Sequence, residues 1–79
     1  MPRELGLFQP AAAQFLLRLP RDLTWQILDA LQRLCDDPNL ITLEEEDGET
    51  FIVVAGYAVS VAVDDETVNV LALRKLGTN

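Results

Sequence analysis

Histidine is absent from this 79-residue chain, and cysteine occurs once, at Cys35. The first absence removes the side chain that most often acts as general base or metal ligand near neutral pH. The second excludes an internal disulfide and a cysteine-based zinc cluster, so no cofactor or metal is expected and the expected setting is reducing and cytoplasmic. Positive charge is scarce too: six Lys and Arg stand against 13 Asp and Glu, a net charge of −7. Phosphate backbones are bound by exchanging counterions for Lys and Arg, so this deficit disfavours nucleic acid as a partner. The bases are also scattered, with Arg3, Arg18, Arg21 and Arg33 in the first half and Arg74 and Lys75 near the end. A membrane helix is not expected either. The longest uncharged stretch, Thr50 to Val63, spans 14 residues, where about 20 are needed. Met1 to Leu7 carries Arg3 and Glu4 with no apolar run behind them, which does not read as a signal peptide.

What is present divides into helical and extended halves. Glu4 to Phe8 reads as a short strand ended by Pro10, which suits the first turn of a helix because its missing N–H is not needed there. Ala12, Phe15, Leu16 and Leu19 then recur at the spacing of one helical face, predicting a helix over Ala11–Leu19 with Gln9 as a poor N-cap. Pro20 interrupts. A second helix follows from Arg21 to Cys35, with Leu23, Ile27, Leu31 and Leu34 on its inner stripe, Asp22 complementing its dipole and Pro38 as the stop. Beyond it, Leu40–Leu43 reads as an edge strand or an extended lead-in, and Glu44–Glu49 as an acidic loop carrying the turn pair Asp47-Gly48. Strands are expected at Thr50–Val54, Tyr57–Val63 and Thr67–Leu73, joined by Ala55-Gly56 and by Asp64-Asp65-Glu66. The fold class is α+β: a short N-terminal strand, an α-helical hairpin, then an antiparallel meander of three to four strands, all in a single domain spanning 1–79.

The three strands scarcely alternate. A half-buried antiparallel sheet should place polar residues at every second position, yet Phe51-Ile52-Val53-Val54 is apolar throughout, as is Val70-Leu71-Ala72-Leu73. A domain this small covers one such face. If Phe51, Val53, Tyr57, Val59, Val61 and Val63 turn toward the helices, then Ile52, Val54, Ala58, Ser60, Ala62, Leu71 and Leu73 form an open face. A contiguous apolar patch of several hundred Å² on a small protein marks an interface, and those seven residues are the expected protein-binding surface. The expected occupant is a protein partner or a second copy of the chain in a homodimer.

Other clusters have plainer readings. Glu44, Glu45, Glu46, Asp47 and Glu49 lack the alternation and glycine placement of a calcium loop and read as solvated charge. Asp64, Asp65 and Glu66 read as a polar turn. Cys35 sits beside Asp36 and Asp37, whose charge disfavours a thiolate. Trp25 falls off the inner stripe of its helix and either packs on a side of the sheet, the favoured expectation, or forms a second contact surface.

Four segments together resemble the RelE/ParE superfamily of bacterial toxin-antitoxin systems. Ala11 to Pro20 is similar to the family's first helix ending in Leu-Pro. Ile27 to Leu34 followed by Asp37-Pro38 is similar to its second helix and exit. Phe51-Ile52-Val53-Val54-Ala55-Gly56-Tyr57-Ala58-Val59 resembles its central hairpin, and Val68 to Lys75 its closing strand. The resemblance implies the α+β fold just described. It also implies two activities: messenger-RNA cleavage on the ribosome by the nuclease branch, and gyrase inhibition by another branch. The nuclease residues implied by the resemblance are missing here. Ile52, Val54 and Ala58 stand where hairpin arginines are expected, there is no histidine, and Gly77-Thr78-Asn79 supplies no basic or aromatic tail. The favoured expectation is a non-catalytic protein that binds an antitoxin-like partner or itself. The alternative is a toxin of a type II system, either a nuclease with a rearranged site or a gyrase inhibitor. In that alternative Arg74 and Lys75 are the residues left to contact nucleic acid.

Overall fold

The structure, a computed structural model, describes residues 3–37, 39 and 41–77. Its elements run β1 (Glu4–Phe8), α1 (Pro10–Arg18), α2 (Arg21–Asp36), β2 (Glu44–Glu46), β3 (Glu49–Val54), β4 (Tyr57–Val63) and β5 (Thr67–Lys75). The fold is α+β, as the sequence pattern indicates. The sheet has five strands in the order β1-β5-β4-β3-β2 and is mixed: β1 lies parallel to β5, whereas every other pair is antiparallel. A parallel neighbour requires a long crossover, and here both helices and three strands lie between β1 and β5.

Pro10 occupies the start of α1, and Gln9 caps it only through extended backbone, with no side-chain bond. Ala12 and Leu16, one turn apart, are the buried residues of that helix. In α2 the buried set is Ile27, Leu31, Leu34 and Cys35, the spacing of one face. Leu19 and Pro20 are both extended and separate the helices. The Thr24 hydroxyl donates to the Leu16 carbonyl at 3.0 Å across that break. α2 ends at Asp37, whose N–H donates to the Arg33 carbonyl at 2.9 Å. Pro38, the expected stop, and Leu40 lie outside the described residues. No helix among the described residues is long and apolar enough to cross a membrane.

Both helices lie on one side of the sheet. Between the two layers Ile27, Leu31, Leu34, Ile52, Val59, Val68 and Val70 are wholly enclosed. Removing each such side chain from water contributes about 1.5–3 kcal/mol. Of the two readings of Leu40–Leu43, the edge strand is corrected, since residues 41–43 carry no strand. The strand that flanks β3 is the acidic run instead: Glu44, Glu45 and Glu46 pair with Phe51, Thr50 and Glu49. It folds back because Asp47 and Gly48 adopt φ of 52° and 78°, the positive pair that a two-residue hairpin requires. Ala55 and Gly56 repeat this at the β3–β4 turn, with φ of 51° and 85°. Ala55 carries a Cβ in that region, at a cost of about 1–2 kcal/mol.

At the β4–β5 turn, Asp64 accepts hydrogen bonds from the N–H groups of Glu66 (2.8 Å) and Thr67 (2.6 Å) and from the Thr67 hydroxyl (3.0 Å). These bonds, led by the Thr67 N–H, hold its carboxyl below the usual range.

Candidate functional site: the open face of the sheet

The face turned away from the helices is assembled by strand register. Val53 on β3, Ala58 on β4 and Arg74 on β5 are directly opposite one another, and so are Phe51, Ser60 and Ala72. Glu44 and Glu46 on β2 pair with Phe51 and Glu49 and extend the same face toward the sheet edge. Cross-strand partners share a face and successive residues alternate, so Ala58, Ser60 and Ala62 form a line of small side chains down the middle strand. Between strands β4 and β5 a bulge places Ser60 opposite Ala72 but Val61 opposite Val70. Leu71 is the extra residue and stands 42% exposed. Val53 is 47% exposed on the other flank.

One polar cluster crosses this face. Arg74 donates to Glu49 at 2.6 Å, and the Ser60 hydroxyl donates to the other oxygen of the same carboxylate. The guanidinium lies 5.4 Å from the centroid of the Phe51 ring, within the range of a cation–π contact. Phe51, Ala58 and Ser60 are buried beneath this strap. The Ser60 bond and then the Arg74 bond draw the Glu49 carboxyl below its ordinary pKa. Beyond the strap lies a shallow trough of about 710 Å³, bordered by Asp47, Glu49, Ala62 and Leu71.

These positions correct part of the sequence reading. Ala58, Ser60, Ala62 and Leu71 do lie on the open side. Ile52 is wholly buried, and Ile52, Val54 and Leu73 pack with the helices, while Phe51 and Val53 take the open face in their place. A two-residue hairpin puts Val54 directly opposite Tyr57, so the two must share a face. Once Tyr57 and Val59 turn inward, Val54 and Ile52 turn inward with them. Leu73 joins the core because the bulge shifts β5 by one residue and sets Leu73 against Val59. Arg74 and Lys75 do not form a pair of cations on one face: Arg74 is opposite Ala58 on the open side, and Lys75 is opposite Tyr57 on the helix side.

Trp25 is 65% exposed, not packed in the core as expected. It borders a small depression with Leu5 and Leu28 on the far side of the molecule. Cys35 is enclosed, and burial followed by the Asp36 charge pushes its thiol upward, the direction that opposes nucleophilicity. The open face therefore offers apolar contact area, a single engaged guanidinium and an acidic border. Glu49, Phe51 and Val53 are the members that the apolar pattern alone does not reveal.

Two solved structures share this architecture. A chain of the archaeal RelE-RelB complex from Pyrococcus horikoshii OT3 matches with a TM-score of 0.77 and 18% identity, covering 100% of both chains. A chain of the RelB-RelE antitoxin-toxin complex from Methanococcus jannaschii matches with a TM-score of 0.65 and 15% identity, covering 89% of each. No family model and no curated protein sequence matches this chain. The likeness is one of three-dimensional form, and the chain has a RelE-like fold.

Proposed function

We propose that this RelE-like domain acts by binding another protein across its open sheet face and catalyses no reaction. The observation that carries the reading is the Arg74–Glu49–Ser60 strap lying between exposed Val53 and Leu71. Cleaving RNA by attack of a ribose hydroxyl requires proton transfer at two oxygens and positive charge at the phosphate. The open-face cation here is spent on a carboxylate of its own chain, and the sequence contains no imidazole. Aliphatic side chains supply neither need. They do supply adhesion, because apolar area half exposed in the free protein gains about 25 cal/mol per Å² when covered. The two structural neighbours are complexes of RelE with RelB, which makes an antitoxin-like protein one reasonable occupant of this face and a second copy of the chain another.

The test replaces Val53 and Leu71 with lysine, singly and together. Both side chains are on the surface, so the variants fold, and the double variant loses the partner or the dimer. Retention of every protein contact by the folded double variant overturns the reading. The competing function, a toxin with a rearranged nuclease site or a gyrase inhibitor, rests on the fold. Induced expression separates the two: growth arrest with transcript cleavage or DNA damage, relieved by Arg74→Ala, establishes the toxin, and unimpaired growth supports the binding protein.

A further inference from the structure

We propose that the corner between the two helices is a second protein-binding surface, separate from the open face. Its occupant is an acidic segment of another protein, with a large apolar side chain set between carboxylates. The first argument is that charge is sorted along the strands. One end of the sheet carries the turns at Asp47-Gly48 and Asp64-Asp65-Glu66. The last turn of α2, with Asp36, is tied to that end because the Arg3 N–H donates to the Cys35 carbonyl and the Glu4 N–H to the Glu66 carbonyl. The opposite end carries the Ala55-Gly56 turn, the end of β5 and the helix corner. Phe15 of α1 meets the Tyr57 ring edge-on at 5.9 Å, and Tyr57 lies opposite Lys75. β4 has seven residues, so the two ends are roughly 20 Å apart at about 3.4 Å per residue. Salt screens exposed charges over about 8 Å, so the acids of the far end are scarcely felt at the corner.

The second argument is which cations are free. Arg3 is committed to the Asp64 carbonyl, Arg33 to Asp29 and Arg74 to Glu49. Arg18, Arg21 and Lys75 make no ion pair or side-chain hydrogen bond among the described residues, and all three belong to the corner end. Asp22 follows Arg21 but is turned about 100° around the helix. Leu19, extended between the helices, separates two depressions. One, of about 180 Å³, is bordered by Phe15 and Arg18; the other, of about 360 Å³, by Leu16, Leu17, Arg21 and Thr24. Leu17 is 84% exposed. Each depression thus joins apolar walls to one arginine, whose stem covers apolar surface while its head accepts a carboxylate in a bidentate pair. Such complementarity sets partner choice and association rate. A nucleic acid is bound by displacing many counterions and finds three cations here, while a flat bilayer does not enter two depressions. The acidic end of a second copy meets the same cations, but copies stacked end to end repeat without closing.

The experiment uses the full chain and three short synthetic peptides: leucines set between glutamates, the same glutamates with glycine in place of leucine, and leucines set between lysines. Amide chemical shifts map the contact, and analytical ultracentrifugation follows the mass of the protein alone. The expected result is that the glutamate–leucine peptide moves Phe15, Leu17, Leu19 and Thr24, and binds about tenfold more weakly to an Arg18→Gln/Arg21→Gln variant. All of the substituted side chains are exposed, so the variants fold. Arg33→Gln, on the outer side of α2, keeps the original affinity, and so does the Val53→Lys/Leu71→Lys protein, which separates this surface from the open face. Equal binding of the glycine peptide overturns the proposal as mere attraction between opposite charges, and equal binding of the lysine peptide overturns the charge match. Shifts at Val53 and Leu71 in place of the corner overturn it and leave the open-face reading standing. Tighter binding of a single-stranded RNA or of phosphatidylserine vesicles, abolished by Arg18→Gln/Arg21→Gln, overturns the protein occupant. So does a mass that grows with protein concentration and returns to the monomer in that variant. A protein that binds none of these probes overturns the proposal outright.

Discussion

The Arg74 guanidinium reaches across β4 to the Glu49 carboxylate, 2.6 Å away, while Ser60 donates to the same group from the intervening strand. The folded protein therefore holds this carboxyl below its ordinary pKa. A depressed pKa contributes stability that is fully present above the unfolded value and is lost as pH falls through the folded one. Carbon-detected NMR should show Glu49 titrating below the ordinary glutamate range. Glu49→Gln should flatten the acid limb of a stability curve measured by denaturant unfolding.

Ile52 and Val53 are neighbours with opposite fates, one enclosed and one nearly half exposed. Ile52→Ala should cost about 2–5 kcal/mol, the range for deleting a buried aliphatic side chain, and lower the thermal midpoint accordingly. Val53→Ala should stay within roughly 0.5 kcal/mol, as surface changes do. Comparable losses at both positions would contradict the strand phase described here.

Gly6 makes room for the Asn69 amide, whose Oδ1 accepts the Leu7 N–H at 2.8 Å. A Cβ at position 6 would collide with that oxygen, so Gly6→Ala should displace the amide and cost about 1–3 kcal/mol, as overpacking does. Combining it with Asn69→Ala should cost less than the sum of the single changes, a coupling that a double-mutant cycle measures.

Asp64 ties the β4–β5 turn through two backbone N–H groups and a hydroxyl. Asp64→Ala should speed hydrogen exchange at the Thr67 amide and lower the thermal midpoint. Asp64→Asn, which keeps one acceptor oxygen, should do both to a smaller degree. Because the folded carboxyl titrates low, the turn's contribution should persist above the ordinary aspartate range and fade as pH falls through the folded value.

Much of this architecture is legible in the order of residues. The helices follow from the recurrence of Ala12 and Leu16 and of Ile27, Leu31 and Leu34, where apolar spacing has one solution. The strands are harder because Phe51-Ile52-Val53-Val54 satisfies either phase equally well, so apolarity could not say which pair faces the helices. The resolving information was in the turn: Ala55-Gly56 as a two-residue connection puts Val54 opposite Tyr57 and settles β3 from β4. No comparable signal announces the bulge that turns Leu73 inward, because an extra residue in a uniformly apolar strand leaves no mark on its pattern. Glu44–Glu46 is strand through pairing with β3 and not through any preference of glutamate for extended backbone. The Arg74–Glu49 pair joins residues 25 apart in sequence and depends on register that only the folded sheet provides.

The parallel insertion of β1 beside β5 also governs the order of assembly. Leu7 and Asn69, bonded to each other, are 62 positions apart, so the slot for Glu4–Phe8 does not exist until β5 has formed. During synthesis, the first strand made must wait with Leu5 and Phe8, which pack on the core in the fold, unsheltered until nearly all of the domain has emerged. Closing so long a loop is slow relative to hairpin formation. This interval is when the nascent chain most needs protection from intermolecular pairing.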